Sequence, residues 1–166
     1  VMKENVGSQD QVLAAFGGFN RIEFGGDHHV FIKQITISNE KIEQLNSHMM
    51  LFFTGFSRLA SEIAHEQIKN MHKKRNELKS IYQMVDEAMN ILNQDKIKPF
   101  GKLLHEAWMV KKDLSSKISF PRIDDIYNTA RRVGAIGGKL LGAGGGGFIL
   151  FFVEPERQAK VREKLK

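Results

Sequence analysis

The sequence predicts an α+β fold, a small antiparallel sheet with helices packed on it. Three observations lead there. Residues 57–95 contain neither glycine nor proline and place apolar side chains at helical spacing. Segments 19–24 and 30–37 instead alternate or are rich in β-branched and aromatic residues. Two apolar, strand-like pieces, Leu140-Leu141 and residues 148–153, flank a run of glycines from Gly142 to Gly147.

Each element has its own signal. Residues 9–16 read as a short helix stopped by Gly17-Gly18. Phe-Asn-Arg-Ile-Glu-Phe at 19–24 alternates as a strand does, and Gly25-Gly26-Asp27 turns the chain. Ser38 caps a short helix, with Lys41 where a capping box would place Glu. Met49 to Thr54 is a near-continuous apolar run, as in a buried strand. Leu59, Ile63, Leu78, Ile81, Val85, Ala88 and Leu92 recur helically, and the polar stretch from Lys69 to Asn76 divides them into two helices. Phe100, Leu103, Leu104, Ala107 and Leu114 define a helix after Pro99. Ile123, Ile126, Ala130 and Val133 define the next, with Asp124 and Asp125 in its first turn, Arg131 and Arg132 in its last, and Gly134 as its stop. Pro155 opens a terminal helix at a position that suits proline.

Composition narrows the function classes. An apolar fraction of 42% supports a real core. The absence of cysteine excludes disulfides and cysteine-based zinc sites, and fits a cytoplasmic setting. No segment approaches a membrane span, and no secretory signal opens the chain. The net charge is +6, but the basic residues are dispersed. Their densest cluster, Lys69, His72, Lys73, Lys74, Arg75 and Lys79, has no interleaved aromatics and reads as a solvated helix face. Neither nucleic acid nor membrane is the expected partner. A basic cleft for phosphorylated ligands is the other use of such charge.

Two segments carry the chemistry. Eight of the fifteen glycines fall between Gly134 and Gly147, so the enrichment is a local device. A glycine-rich turn can bring backbone N–H groups up to an anion, or can simply make a tight hairpin. Asp10 stands where a helix begins, in Gly7-Ser8-Gln9-Asp10-Gln11. The residues alone favour a helix-terminus acid there, because the orphan N–H groups and dipole stabilise a carboxylate. A general base at the floor of a cleft is the other reading.

Taken together, these segments resemble the GHMP small-molecule kinases. The stretches Gly7 to Gln11 followed by Ala14-Ala15-Phe16-Gly17-Gly18-Phe19-Asn20, Leu51 to Gly55, Leu103 to Trp108 and Gly137 to Phe148 look like the D-glycero-D-manno-heptose 7-phosphate kinase branch. The resemblance implies a ferredoxin-like C-terminal lobe over residues 27–166, preceded at 1–26 by the last helix and strand of an N-terminal lobe. It implies transfer of the ATP γ-phosphoryl group to the anomeric hydroxyl of a sugar phosphate. Asp10 matches the family's acid beside that hydroxyl. Gln9, Gln11, Thr54 and Gly55 match segments near the acceptor, although a solvent-facing role for the glutamines and a strand-ending turn at Thr54-Gly55 stay open. Gly142, Ala143, Gly144, Gly145, Gly146 and Gly147 match the active-site floor near the phosphates, where a bulkier central residue would be damaging.

One departure is large. The family's earlier motif, Pro-x-x-x-Gly-Leu-Gly-Ser-Ser, does not occur here, and the chain has about half the length the resemblance implies. The chain therefore reads as the C-terminal portion of a kinase, inactive alone, whose partner is the N-terminal lobe. Magnesium is expected with ATP, with its protein ligands mainly in that other part. Asp27-His28-His29 is a poor metal chelate, because adjacent side chains diverge. His105, Trp108 and Arg58 read as packing or surface residues. A phosphate contact from Lys139 or Ser8 is a weaker suggestion. The alternatives are a GHMP kinase for another sugar or small metabolite, and a non-catalytic ferredoxin-like module that binds a metabolite.

Overall fold

The computed structural model of the chain describes residues 8–26, 29–56 and 60–166. Its elements run α1 (Gln9–Phe16), β1 (Asn20–Phe24), β2 (Val30–Gln34), α2 (Asn39–His48) and β3 (Met49–Phe53). Then come α3 (Ala60–Asn70), α4 (Arg75–Leu92), α5 (Lys98–Lys112), α6 (Pro121–Val133), β4 (Ala135–Leu140), β5 (Phe148–Val153) and α7 (Pro155–Lys164). The expected α+β architecture is present, with two small antiparallel sheets. A hairpin pairs β1 with β2, and a three-stranded sheet has the order β3-β5-β4. None of the described helices is long and apolar enough to cross a membrane.

Local chemistry accounts for most boundaries. Ser38 accepts a 3.2 Å hydrogen bond from the Lys41 N–H and so caps α2 without a capping-box glutamate. A short 3-10 turn at Met71–Lys73 divides α3 from α4 inside the polar stretch. The basic residues of that stretch face mostly solvent. Helix α6 starts at Pro121, follows the dipole rule with Asp124 and Arg131, and stops at Gly134. The turn between β1 and β2 falls at the Gly25-Gly26 punctuation.

Strand β5 is central and carries the core. Ile149, Phe151, Phe152 and Val153 are fully buried, as are Trp108 and Ile123. Tyr127 lies between Trp108 and Phe151, with ring centroids 6.0 and 5.7 Å away. Such aromatic contacts add to area burial. The packing role expected of Trp108 is therefore met.

Strand β4 is longer than its sequence suggests. Gly137 and Gly138 lie within it rather than in the loop. Helix α5 crosses β4 backbone to backbone at this point, and a Cβ on Gly137 would stand 1.8 Å from the Gly101 carbonyl oxygen. Only glycine permits that approach. Tight seating of α5 on β4 aims the α5 side chains at the turn that follows β4.

Candidate active site

The turn from Leu141 to Gly147 joins β4 to β5, and its backbone is tied down on several sides. The Leu141 N–H donates to the Phe148 carbonyl at 2.9 Å and closes the hairpin. The Gly145 N–H donates to Ile118 and the Gly147 N–H to Phe56, each at 2.8 Å. Gly146 has φ +145°, and a Cβ there would lie 2.6 Å from the Phe56 carbonyl oxygen. Both backbone conformation and lack of space therefore disfavour a larger residue at Gly146.

Three side chains hold the carbonyls of this turn. Thr54 is buried, and its hydroxyl donates to the Gly147 carbonyl at 2.9 Å while accepting from the Phe56 N–H at 3.3 Å. The Thr54 N–H reaches the same carbonyl at 2.9 Å. Gln67 Nε2 donates to the Ala143 carbonyl at 2.8 Å. Lys111 Nζ donates to the carbonyls of Leu140, at 3.0 Å, and Gly142, at 2.5 Å. The Thr54 hydroxyl thus anchors the turn, and Gly55 forms the exposed bend beside it at φ +77°.

Lys111 is 9% exposed, and among the described residues no carboxylate pairs with it. Burial, helped by the nearby Lys139 charge, pushes its pKa down from 10.5 to about 7. The unfolded chain holds a proton on this amine up to its ordinary value, while the folded chain releases it near neutrality. Between about pH 7 and pH 10.5 the unfolded state therefore binds the extra proton, and stability rises with pH. Its contribution approaches ~1.4 kcal/mol per pH unit within that window. Comparing denaturant midpoints of the wild type and Lys111→Met from pH 6.5 to 9 checks this. The wild type should gain more stability than the variant as pH rises, and parallel curves would refute the assignment.

The remaining sequence-predicted residues lie elsewhere in the fold. Asp10 is the second residue of α1, behind the N-cap Ser8, and is exposed. Its carboxylate has no hydrogen-bond or ion-pair partner among the described residues. Gln9 and Gln11 are also exposed. Gln9 lines a cavity of about 450 Å³ with Leu13, Arg21, Leu104 and Lys139, between α1-β1 and α4-α5. Burial lowers the pKa of Lys139. Arg21 in that wall is engaged by Asp86 at 2.6 Å and Glu23 at 2.8 Å. The structure thus gathers Thr54 and the glycine turn into one unit and places Gln9 with Lys139 in another. His105 sits on α5 with Nδ1 2.7 Å from the Tyr127 hydroxyl, a packing contact of the kind expected. Burial lowers the His105 pKa and pushes that of Tyr127 up to about 12. Arg58 and the Asp27-His28 pair lie outside the described residues.

Sequence reasoning missed Lys111 and Gln67. Lys111 had a signal, since it stands at helical spacing from Ala107 and Trp108 on the buried face of α5. A lysine on an apolar face needs a polar target.

Residues 90–166 match the family model described as GHMP kinases C terminal. A curated relative, the D-glycero-alpha-D-manno-heptose 7-phosphate kinase of Campylobacter jejuni, is 35% identical over 96% of this chain and 48% of its own length. The crystal structure of a sugar kinase from Campylobacter jejuni superposes with a TM-score of 0.68 at 31% identity, covering 96% of this chain and 45% of that one. A D-glycero-D-manno-heptose 1-phosphate kinase structure from Bacteroides thetaiotaomicron gives a TM-score of 0.61 at 31% identity, covering 95% of this chain and 42% of that one. The chain thus spans less than half the length of each of these relatives. Family match and fold agree, and the chain carries the C-terminal domain of the GHMP kinases.

Proposed function

We propose that this chain is the C-terminal portion of an ATP-dependent sugar kinase acting on an anomeric hydroxyl, with D-glycero-D-manno-heptose 7-phosphate as the favoured acceptor. The observation that carries the reading is the glycine turn, whose carbonyls are drawn towards Thr54, Gln67 and Lys111. Phosphoryl transfer depends on positioning and on stabilising charge, which backbone N–H groups supply without reorganising. The heptose 7-phosphate kinase relative, similar over 96% of the chain, supports the choice of acceptor.

In the proposed reaction the anomeric oxygen forms a bond to the γ-phosphorus. The bond from that phosphorus to the bridging oxygen breaks, and ADP leaves with that oxygen. The hydroxyl proton passes to the Asp10 carboxylate, which must come within hydrogen-bond reach of it. Gln9 and Gln11 bind sugar hydroxyls, and Thr54 with Gly55 borders the acceptor. Magnesium accompanies ATP and neutralises phosphate charge. Among the described residues no group of three or more His, Asp or Glu could hold an ion.

We assign the main ATP cradle to an N-terminal lobe, and residues 1–26 to the last part of that lobe. The exposed Phe16, Phe24 and Phe31 on α1 and the hairpin offer such a lobe an apolar surface. The 166-residue chain alone is accordingly inactive. Sugar-dependent ADP release tests both statements, measured for this chain and for a full-length kinase carrying it, on heptose 7-phosphate, mannose, fucose, galactose and mevalonate. Turnover of heptose 7-phosphate by the full-length protein alone is expected. Preference for another acceptor would reassign the substrate, turnover by the short chain would refute its dependence on the lobe, and no turnover by either would favour a metabolite-binding module.

A further inference from the structure

A trans peptide unit points its C=O and its N–H in opposite directions. Fixing one therefore fixes the other. The carbonyl of Gly142 is held by Lys111, so the N–H of Ala143 in the same peptide unit points away from α5. The carbonyl of Ala143 is held by Gln67, so the N–H of Gly144 points away from α3. Neither N–H has a hydrogen-bond partner among the described residues, whereas those of Leu141, Gly145 and Gly147 are all engaged; the N–H groups of Gly142 and Gly146 are also free, but no described side chain holds the carbonyl of their peptide units.

We propose that Lys111 and Gln67 are positioning residues that set the sense of two successive peptide units and present the Ala143 and Gly144 N–H groups together to a phosphate-class anion. Neither side chain touches the anion. Consecutive N–H groups in a glycine turn form an anion-binding concavity. An unconstrained glycine turn has little to prevent either peptide from flipping and offering a carbonyl instead, which would repel the same anion. The two clamps come from different helices, α5 and α3, so the turn is gripped from two sides. Below about pH 7, where the buried amine keeps its proton, its positive charge beneath the turn further favours an anion above it. The inference deepens the phosphoryl-transfer reading and rests on it for the biological identity of the anion.

The test needs no turnover. Inorganic pyrophosphate is titrated into the ¹⁵N-labelled chain while the backbone amide resonances are followed. Saturable shifts are expected at Ala143 and Gly144. Lys111→Met should remove the response at Ala143 and weaken pyrophosphate binding by about tenfold or more, the loss of one backbone hydrogen bond to a charged anion. Gln67→Met should remove the response at Gly144 with a smaller loss. Should Lys111→Met fail to fold, Gln67→Met decides, because its side chain is only half-buried on α3. Wild-type amides silent to pyrophosphate, or folded variants with unchanged shifts and affinity, would overturn the proposal. Absent kinase turnover beside responsive amides would overturn the functional reading and leave the clamp standing, and turnover with silent amides would do the reverse.

Discussion

A single methyl group at Gly137 should destabilise the chain by roughly 4 kcal/mol or more, the range reserved for severe core substitutions. The new Cβ would stand 1.8 Å from the Gly101 carbonyl oxygen and 2.9 Å from the His105 backbone nitrogen. Both atoms belong to the backbone of α5, so no side-chain rotation relieves the clash. The helix would have to lift off β4, uncovering Phe152, which a Cβ on Gly101 would also strike at 2.6 Å. Overpacking that displaces only side chains costs about 1–3 kcal/mol, and displacing a helix costs more. Thermal unfolding of Gly137→Ala should fall by about 8–16 °C for a chain of this size. Gly142→Ala is the control, since nothing lies within 4 Å of its Cβ and only its φ of +66° resists the change. Equal midpoints for the two variants would refute the close crossing of α5 over β4. The Lys111 clamp should fail along with the crossing, because the same helix aims that amine at the turn.

The legible parts of this fold are those with local causes. Helix α6 could be read from Pro121, Asp124, Arg131 and Gly134, because caps and dipole are written in consecutive residues. The Ser38 cap, the Gly25-Gly26 turn and the division of α3 from α4 follow the same logic. Strand β4 was legible only at its end, because Gly137 and Gly138 argue locally against a strand. Their reason is a helix more than thirty residues earlier in the chain. Strand β2 ends at Gln34, short of the β-rich run that continues to Ile37, since pairing with β1 ends at Asn20.

The candidate site divides in the same way. Its glycines and Thr54 were visible as a strand end and a turn. The bonds joining them were not, because Thr54 meets Gly147 across 93 residues and Gln67 meets Ala143 across 76. Gln67 gives no cue in the sequence, being one polar residue on a largely polar helix. Lys111 does give one, and the general lesson is to ask what carbonyl a lysine on an apolar stripe is meant to reach.

Asp10→Asn in the full-length kinase should lower kcat by about 10²- to 10⁴-fold, the contribution expected of a positioned general base. Asparagine keeps the size and hydrogen-bonding shape of aspartate but cannot take up the proton of the attacking hydroxyl. Acceptor affinity should therefore remain near wild type, and the loss should fall on kcat rather than KM. The competing role is structural, because Asp10 lies in the first turn of α1, where a carboxylate complements the helix dipole. That role predicts a different outcome, a stability change of about 0.3–1 kcal/mol with kcat intact. The exposed position of Asp10, with no partner among the described residues, leaves its carboxylate uncommitted. Steady-state kinetics and thermal unfolding of the same Asp10→Asn preparation thus separate the two. A large kcat loss at nearly unchanged Tm assigns the base, whereas a small Tm shift with full turnover would return Asp10 to the helix terminus and move the search for the base to another residue.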